Sequence, residues 1–321
     1  MFLQCCRVIF LCVVIFHSAF GTPSKNTNKG GNTSKEAMEA MQQTDQDAYL
    51  TSQNIYKKDF GDISVFVISL GNFDAPFDKL IASDEKQSVL LQTMANDKGV
   101  NHHNVVLIKG KEFLALIDTG FNHTQETLIK QLQTIGISHT DITHIIISHA
   151  HPDHIGGILP QTSKLKQISN VKQAKNTNNI FRNAKLLIDE VEYNFWTHSN
   201  NELAKNSLRA FSEVEFFTHN TPILATKHTK IDAIKAYGHT PGHTIFSIES
   251  AKEKLIFISD LVHYFKIQNA NLAIAIQYDN DKAQAVATRE ALWKKFKKDK
   301  SYKNALFVGA HFPTFRPITL K

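Results

Sequence analysis

Between residues 148 and 157 the chain reads Ser148-His149-Ala150-His151-Pro152-Asp153-His154-Ile155-Gly156-Gly157. The segment follows Ile142–Ile147, an apolar run of buried-strand character. In extended backbone His149 and His151 point the same way, so two imidazoles can converge on one cation. Pro152 forces the chain to turn, and Asp153 and His154, adjacent in that turn, can face a second position close by. The glycines that follow permit a tight approach and the start of a helix. Taken singly, each histidine is readily a hydrogen-bonded structural residue. Four such side chains together at the end of an apolar strand form a metal-ligand set.

The remaining composition limits what else the chain can do. It has 321 residues, 42% hydrophobic and 21% charged, which excludes disordered, collagen-like and coiled-coil classes. Sixteen histidines stand against three cysteines, Cys5, Cys6 and Cys12, all near the start. Arg7, the short apolar run Val8–Phe16 and the small residues Ser18-Ala19-Phe20-Gly21 have the layout of a secretory signal, and His17 interrupts any longer span. Cleavage near Gly21 would leave no cysteine for disulfides, thiol nucleophiles or metal ligation. The expected product is periplasmic or secreted, with no stable membrane anchor. The formal charge is +6, but the lysines are scattered, so no nucleic-acid partner is expected.

Elements that could position the histidines follow from residue patterning. Residues 1–21 are the signal peptide, 22–54 a flexible polar linker with a short helix near Glu36–Met41, and 55–321 the functional domain. Strands are expected at Ile63–Leu70, Val105–Ile108 and Phe113–Ile117, Ile142–Ile147, Leu186–Ile188, Ile231–Ala236, Thr244–Ile248, Leu255–Ile258 and Ala305–Ala310. Helices are expected at Thr124–Ile135, Glu190–Trp196, Asn201–Phe211 and Lys282–Phe296, with an irregular stretch after Leu70 through Asp97. Hairpins first, then mixed strands and helices, fit an α/β class fold in which two face-to-face mixed sheets are flanked by helices, an αββα sandwich.

The His149–His154 motif resembles that of the metallo-β-lactamase superfamily, and the likeness runs from about Asp62 to the C-terminus. Further motifs match in order: Gly238-His239-Thr240-Pro241-Gly242-His243 after a strand, Asp260 at the end of Ile256–Ser259, His311 after Val308-Gly309-Ala310, and the early turn Asp118-Thr119-Gly120. The resemblance implies that His149, His151 and His239 hold one metal, that Asp153, His154 and His311 hold a second, and that Asp260 bridges them. His243 is then a packing residue or a support for a ligand. Among members, the chain is similar to methyl parathion hydrolase-like enzymes at Gly61-Asp62-Ile63, Asp189, Phe195-Trp196, Ser259-Asp260-Leu261 and Ile276-Gln277-Tyr278-Asp279. It departs from them at His311-Phe312-Pro313-Thr314-Phe315-Arg316.

The implied activity is that of an exported dinuclear hydrolase whose metal-bridging hydroxide cleaves an ester, lactone or phosphotriester. Asp153 and Asp260 are the catalytic carboxylates, and Asp153 orients the hydroxide. Two divalent ions are expected, zinc first, with iron, manganese or cobalt also suited to the donors. The expected partner is a small-molecule substrate, with a homodimer left open. The alternatives are a non-catalytic metal- or partner-binding protein that keeps the fold, or a β-lactamase or thioesterase activity. Phe195, Trp196 and Phe312 line an apolar pocket on one reading and are plain core on the other. His263 reaches the site on one reading and is a surface histidine on the other. The other histidines match no ligand spacing.

Overall fold

The computed structural model describes residues 47, 49–97, 99–161 and 179–320. The expected signal peptide and the expected short helix near Glu36–Met41 lie outside the described residues. Strands β1 (Ile55–Phe60) and β2 (Ile63–Asp74) form an antiparallel hairpin that pairs Ile55 with Ile68. Along β2, Val65 and Val67 face one apolar cluster while Phe66, Ile68 and Leu70 face another. A strand buried on both faces needs a covering layer on each side, and the rest of the chain supplies them.

Strand β3 (Leu80–Ile81) and helix α1 (Glu85–Thr93) lead to β4 (Val100–Lys109) and β5 (Leu114–Ile117). Then come α2 (Gln125–Thr134), β6 (His144–Ile146), the short α3 (Pro152–Ile155), β7 (Lys185–Ile188), α4 (Glu190–Thr197), α5 (Glu202–Arg209) and β8 (Val214–Phe216). The second half holds β9 (Pro222–Ala225), β10 (Thr229–Lys235), β11 (Thr244–Ser250), β12 (Glu253–Phe257), α6 (Phe265–Ala270), β13 (Ala275–Ile276), α7 (Lys282–Lys298) and β14 (Leu306–Val308). One sheet has seven strands in the order β1-β2-β4-β5-β6-β7-β8, and the other has five in the order β14-β12-β11-β10-β9. Both are mixed: β5 through β8 run parallel, as do β12 and β14, and the other pairs in these two sheets are antiparallel.

Strand alternation sorts side chains into three layers. Val106, Ile117, Ile146 and Leu187 of the first sheet meet Ile231, Phe246, Leu255 and Val308 of the second. Leu107, Leu116 and Ile145 face outward onto Leu128 and Leu132 of α2 and Leu208 of α5. Ile245, Ile256 and Phe307 pack outward with Trp293 and Phe296 of α7. This is the αββα sandwich that the order of elements implied.

The differences lie where polar text hides structure. Residues 22–54 read as a linker, yet Tyr49–Ser52 is helical and Leu50 is buried in the core, so the folded body begins before residue 55. In β1 only the end residues Ile55 and Phe60 are buried, and Lys57, Lys58 and Asp59 between them mask the strand. The stretch through Asp97, read as irregular, contains β3 and α1. Residues missed between the expected elements also form β8, β9 and α6.

Candidate metal centre

The site lies where the two sheets present the ends of their strands on one side. The loop after β6 carries His149, His151, Asp153 and His154, the β10–β11 turn carries His239, and the ends of β12 and β14 carry Asp260 and His311. Pro152 starts α3, and the His154 carbonyl accepts hydrogen bonds from the Thr119 N–H (2.7 Å) and hydroxyl (2.9 Å). This ties the loop to the Asp118-Thr119-Gly120 turn. Asp118 and Ser259 occupy the left-handed region at φ 62° and 45°. Such strain in non-glycine residues persists only where surroundings hold it, as both neighbours of the site do.

Donor atoms gather into two groups, each within 4.8 Å: His149, His151 and His239; and Asp153, His154, Asp260 and His311. His149 Nε2 lies 3.1 Å from both His151 Nδ1 and His239 Nε2. Tetrahedral zinc with bonds of about 2.0–2.1 Å spaces neighbouring donors roughly 3.3 Å apart, close to what is seen. Asp260 stands between the groups: its Oδ2 is 3.7 Å from His149, 3.5 Å from His239 and 3.1 Å from His311, and its Oδ1 is 3.2 Å from His154 Nε2. Yet Asp260 Oδ1 and His154 Nε2, both buried, make no hydrogen bond. Two neighbouring polar atoms aimed past each other, at a common point, suit coordination of an ion rather than a salt bridge.

Supporting contacts fix the imidazoles. His154 Nδ1 lies 2.7 Å from Asp118 Oδ2, His239 Nδ1 2.9 Å from Asp279 Oδ1, and His149 Nδ1 3.1 Å from the Ser148 hydroxyl. Each arrangement lets Nδ1 keep the proton and leaves Nε2 for a metal, the usual design of ligand support. Ser148 also donates to Asp118 Oδ2 and accepts from the Ser259 hydroxyl, so the three strand ends share one buried network. Burial pushes the Asp153 and Asp260 carboxyls up, but the imidazoles of His154 and His311 outweigh it and hold both well below the usual carboxylate range. Burial lowers His239 and His311 less than their carboxylate neighbours raise them, to about 9 in each case.

All seven positions named from the sequence therefore meet at one centre, and the donor set fits two divalent ions. His263 resolves toward the site rather than the surface: it is buried, with Nε2 3.1 Å from Asp260 Oδ2 but out of line for a hydrogen bond. With His239 and Asp260 it forms a third close group. His243 is buried, with Nδ1 3.0 Å from the Ala236 carbonyl. Phe312 is core, fully buried against Phe265 and Trp293's cluster, because the chain turns it back under β14. Trp196 stands edge-on to His151 with ring centres 5.6 Å apart, and Phe195 stands against Trp196. Phe73 meets His311 at 5.3 Å, and Tyr278 lies 5.8 Å from His263.

Comparison with known proteins agrees with this geometry. The profile of the Metallo-beta-lactamase superfamily matches residues 99–179. Metallo-beta-lactamase domain-containing protein 1 of Xenopus laevis is 34% identical over 74 residues, 22% of this chain and 31% of that protein, so the chain matches about a third of that relative's length. An N-acyl homoserine lactonase from Bacillus sp is 22% identical over 215 residues, 65% of this chain and 73% of that protein. Among solved structures, AidC, a dizinc quorum-quenching lactonase in complex with a product, aligns with a TM-score of 0.66 at 25% identity, covering 81% of this chain and 91% of that one. The chain has the metallo-β-lactamase fold, and its residues 99–179 match that superfamily's model. The finer likeness to methyl parathion hydrolase is not what these relatives show; two of the three are lactonases.

Proposed function

We propose that the protein is a dinuclear metal-dependent hydrolase that opens lactones or cleaves related esters. The observation that carries this reading is the convergence of His149, His151 and His239, and of Asp153, His154 and His311, about the Asp260 carboxylate. Two bound divalent ions would supply an acidified water and polarise the substrate oxygen. The residues do the rest. Asp153 and Asp260, both held ionised, are donors to the ions, and Asp153 also accepts a hydrogen bond from the attacking water and orients it. His263, buried beside Asp260, brings a ring nitrogen to the edge of the centre. Trp196, Phe73 and the half-exposed Phe195 and Tyr278 (41% and 45%) border the centre with aromatic surface suited to an acyl chain.

The lactone preference is supported by the N-acyl homoserine lactonases among the relatives. Phosphotriester cleavage, implied by the motifs shared with methyl parathion hydrolase-like members, is the second arm of the test. Purified protein, stripped of metal and reloaded with zinc, manganese or cobalt, is assayed on N-acyl homoserine lactones, aryl esters, thioesters, a β-lactam and a phosphotriester. The expected result is metal-dependent turnover that is fastest on lactones or esters. Protein that holds two ions per chain but is inert on every substrate would instead support a non-catalytic role. Export belongs to this proposal through the Arg7–Gly21 pattern, and the N-terminal sequence of protein recovered from the medium or periplasm tests it.

A further inference from the structure

Glu192 is a fully buried carboxylate that belongs to neither ligand group. It projects from α4 between the two loops that carry the nitrogen ligands, and both of its oxygens are saturated by donors. Oε1 accepts from the Ala150 N–H at 2.8 Å and the Trp196 indole N–H at 2.6 Å. Oε2 accepts from the Thr240 hydroxyl at 2.7 Å and the Gly242 N–H at 2.8 Å. Ala150 sits between His149 and His151, while Thr240 and Gly242 flank the turn after His239. The helix itself is docked here: a Cβ on Gly242 would come within 2.4 Å of the Glu192 backbone nitrogen, so glycine is needed for the approach. Asp189 fixes the start of α4 by accepting from the Glu192 N–H at 3.0 Å and the Tyr237 hydroxyl at 2.8 Å.

We propose that Glu192 is a positioning residue that sets the separation of the His149/His151 pair from His239, and so tunes the affinity of that metal position more than that of the other. This rests on the dinuclear reading above. Among the described residues its hydrogen bonds reach neither Asp260 nor His311, and on the loop after β6 it holds Ala150, between the two nitrogen ligands and ahead of Asp153 and His154, so its grip falls first on the nitrogen group. Because all four partners donate, only a carboxylate satisfies them; an amide would set an N–H against an N–H or hydroxyl.

The test is zinc titration of metal-free protein against a chromophoric chelator, comparing wild type with Glu192→Gln, Glu192→Asp and the milder Thr240→Val. His151→Ala identifies which binding step belongs to the nitrogen group. Glu192→Gln is expected to weaken that step about 10- to 100-fold, the range seen for ligand supports, and the other step less than about threefold. Thr240→Val is expected to weaken the same step by less, and stands in if Glu192→Gln does not fold. A metal-independent readout accompanies it: hydrogen exchange at Ala150 and Gly242 in the metal-free variant should quicken relative to Ile146 and Ile245. Unchanged affinities, or equal weakening of both steps, would overturn the proposal. A wild-type protein that binds no zinc would overturn the dinuclear reading itself, and only the exchange data would then bear on the clamp.

Discussion

The nitrogen group and the mixed group are built differently. His149, His151 and His239 come from two loops pinned by a shared carboxylate on α4, and the positive-φ residue beside them is a glycine, Gly238. Asp153, His154 and His311 lie beside the two strained positions, Asp118 and Ser259, and depend on the buried Asp118–Ser148–Ser259 network. The nitrogen group has a clamp from outside the sheets and shares only the Ser148 hydroxyl, at His149, with the locked strand ends that hold the other half. Among the described residues, Asp260 is the donor that lies near both groups. The lesson is that the two positions can be disturbed separately, and five substitutions rank how separately.

The largest effect is expected from Asp260→Ala, which removes the shared donor. Turnover should fall about a thousandfold or more, corresponding to the several kcal/mol a metal contributes at the transition state, with metal content falling in parallel. Elemental analysis alongside steady-state kinetics checks both. Next come Asp118→Ala and Asp279→Ala, which remove the acceptors of His154 and His239 respectively. Each should weaken metal affinity about 10- to 100-fold, but at opposite halves of the site, as resolved by zinc titration. If both variants weaken the same step, the division between the groups fails.

Arg289→Met probes support from further off. Its buried guanidinium donates to the carbonyls of Leu261, Leu272 and Ile274, joining the turn after Asp260 to the segment that leads to Asp279. Leaving those carbonyls without their donor should cost about 1–3 kcal/mol of stability, measured by denaturant unfolding of the metal-free protein. The smallest change is expected from Phe195→Ala. Its exposed ring should shift stability by no more than about 0.5 kcal/mol, while KM for long-chain acyl substrates rises. A change in turnover without one in KM would place Phe195 outside the substrate path.

The ligands were legible because metal chemistry restricts residue type and spacing within short stretches, as in His149–His154 and Gly238–His243. The two sheets were legible because Val65, Phe66, Val67 and Ile68 leave no polar face. Their supports were not. Glu192 and Arg289 lie on helices where a charged residue ordinarily faces water, and only the tertiary approach of α4 and α7 buries them. His263 has no neighbouring ligand residue beyond Asp260 to mark it, and a lone histidine between Val262 and Tyr264 carries no ligand spacing. β1 was hidden because its central lysines are paired with Asp59 and Glu253 rather than buried.

The central claim is that one centre holds two ions about Asp260. Crystals of zinc-loaded protein, measured above and below the zinc absorption edge, test it most directly. The account predicts two anomalous peaks, one among His149, His151 and His239 and one among Asp153, His154 and His311, each about 2.0–2.2 Å from an oxygen of Asp260. A single peak, or two peaks with Asp260 outside the coordination of either, would contradict it.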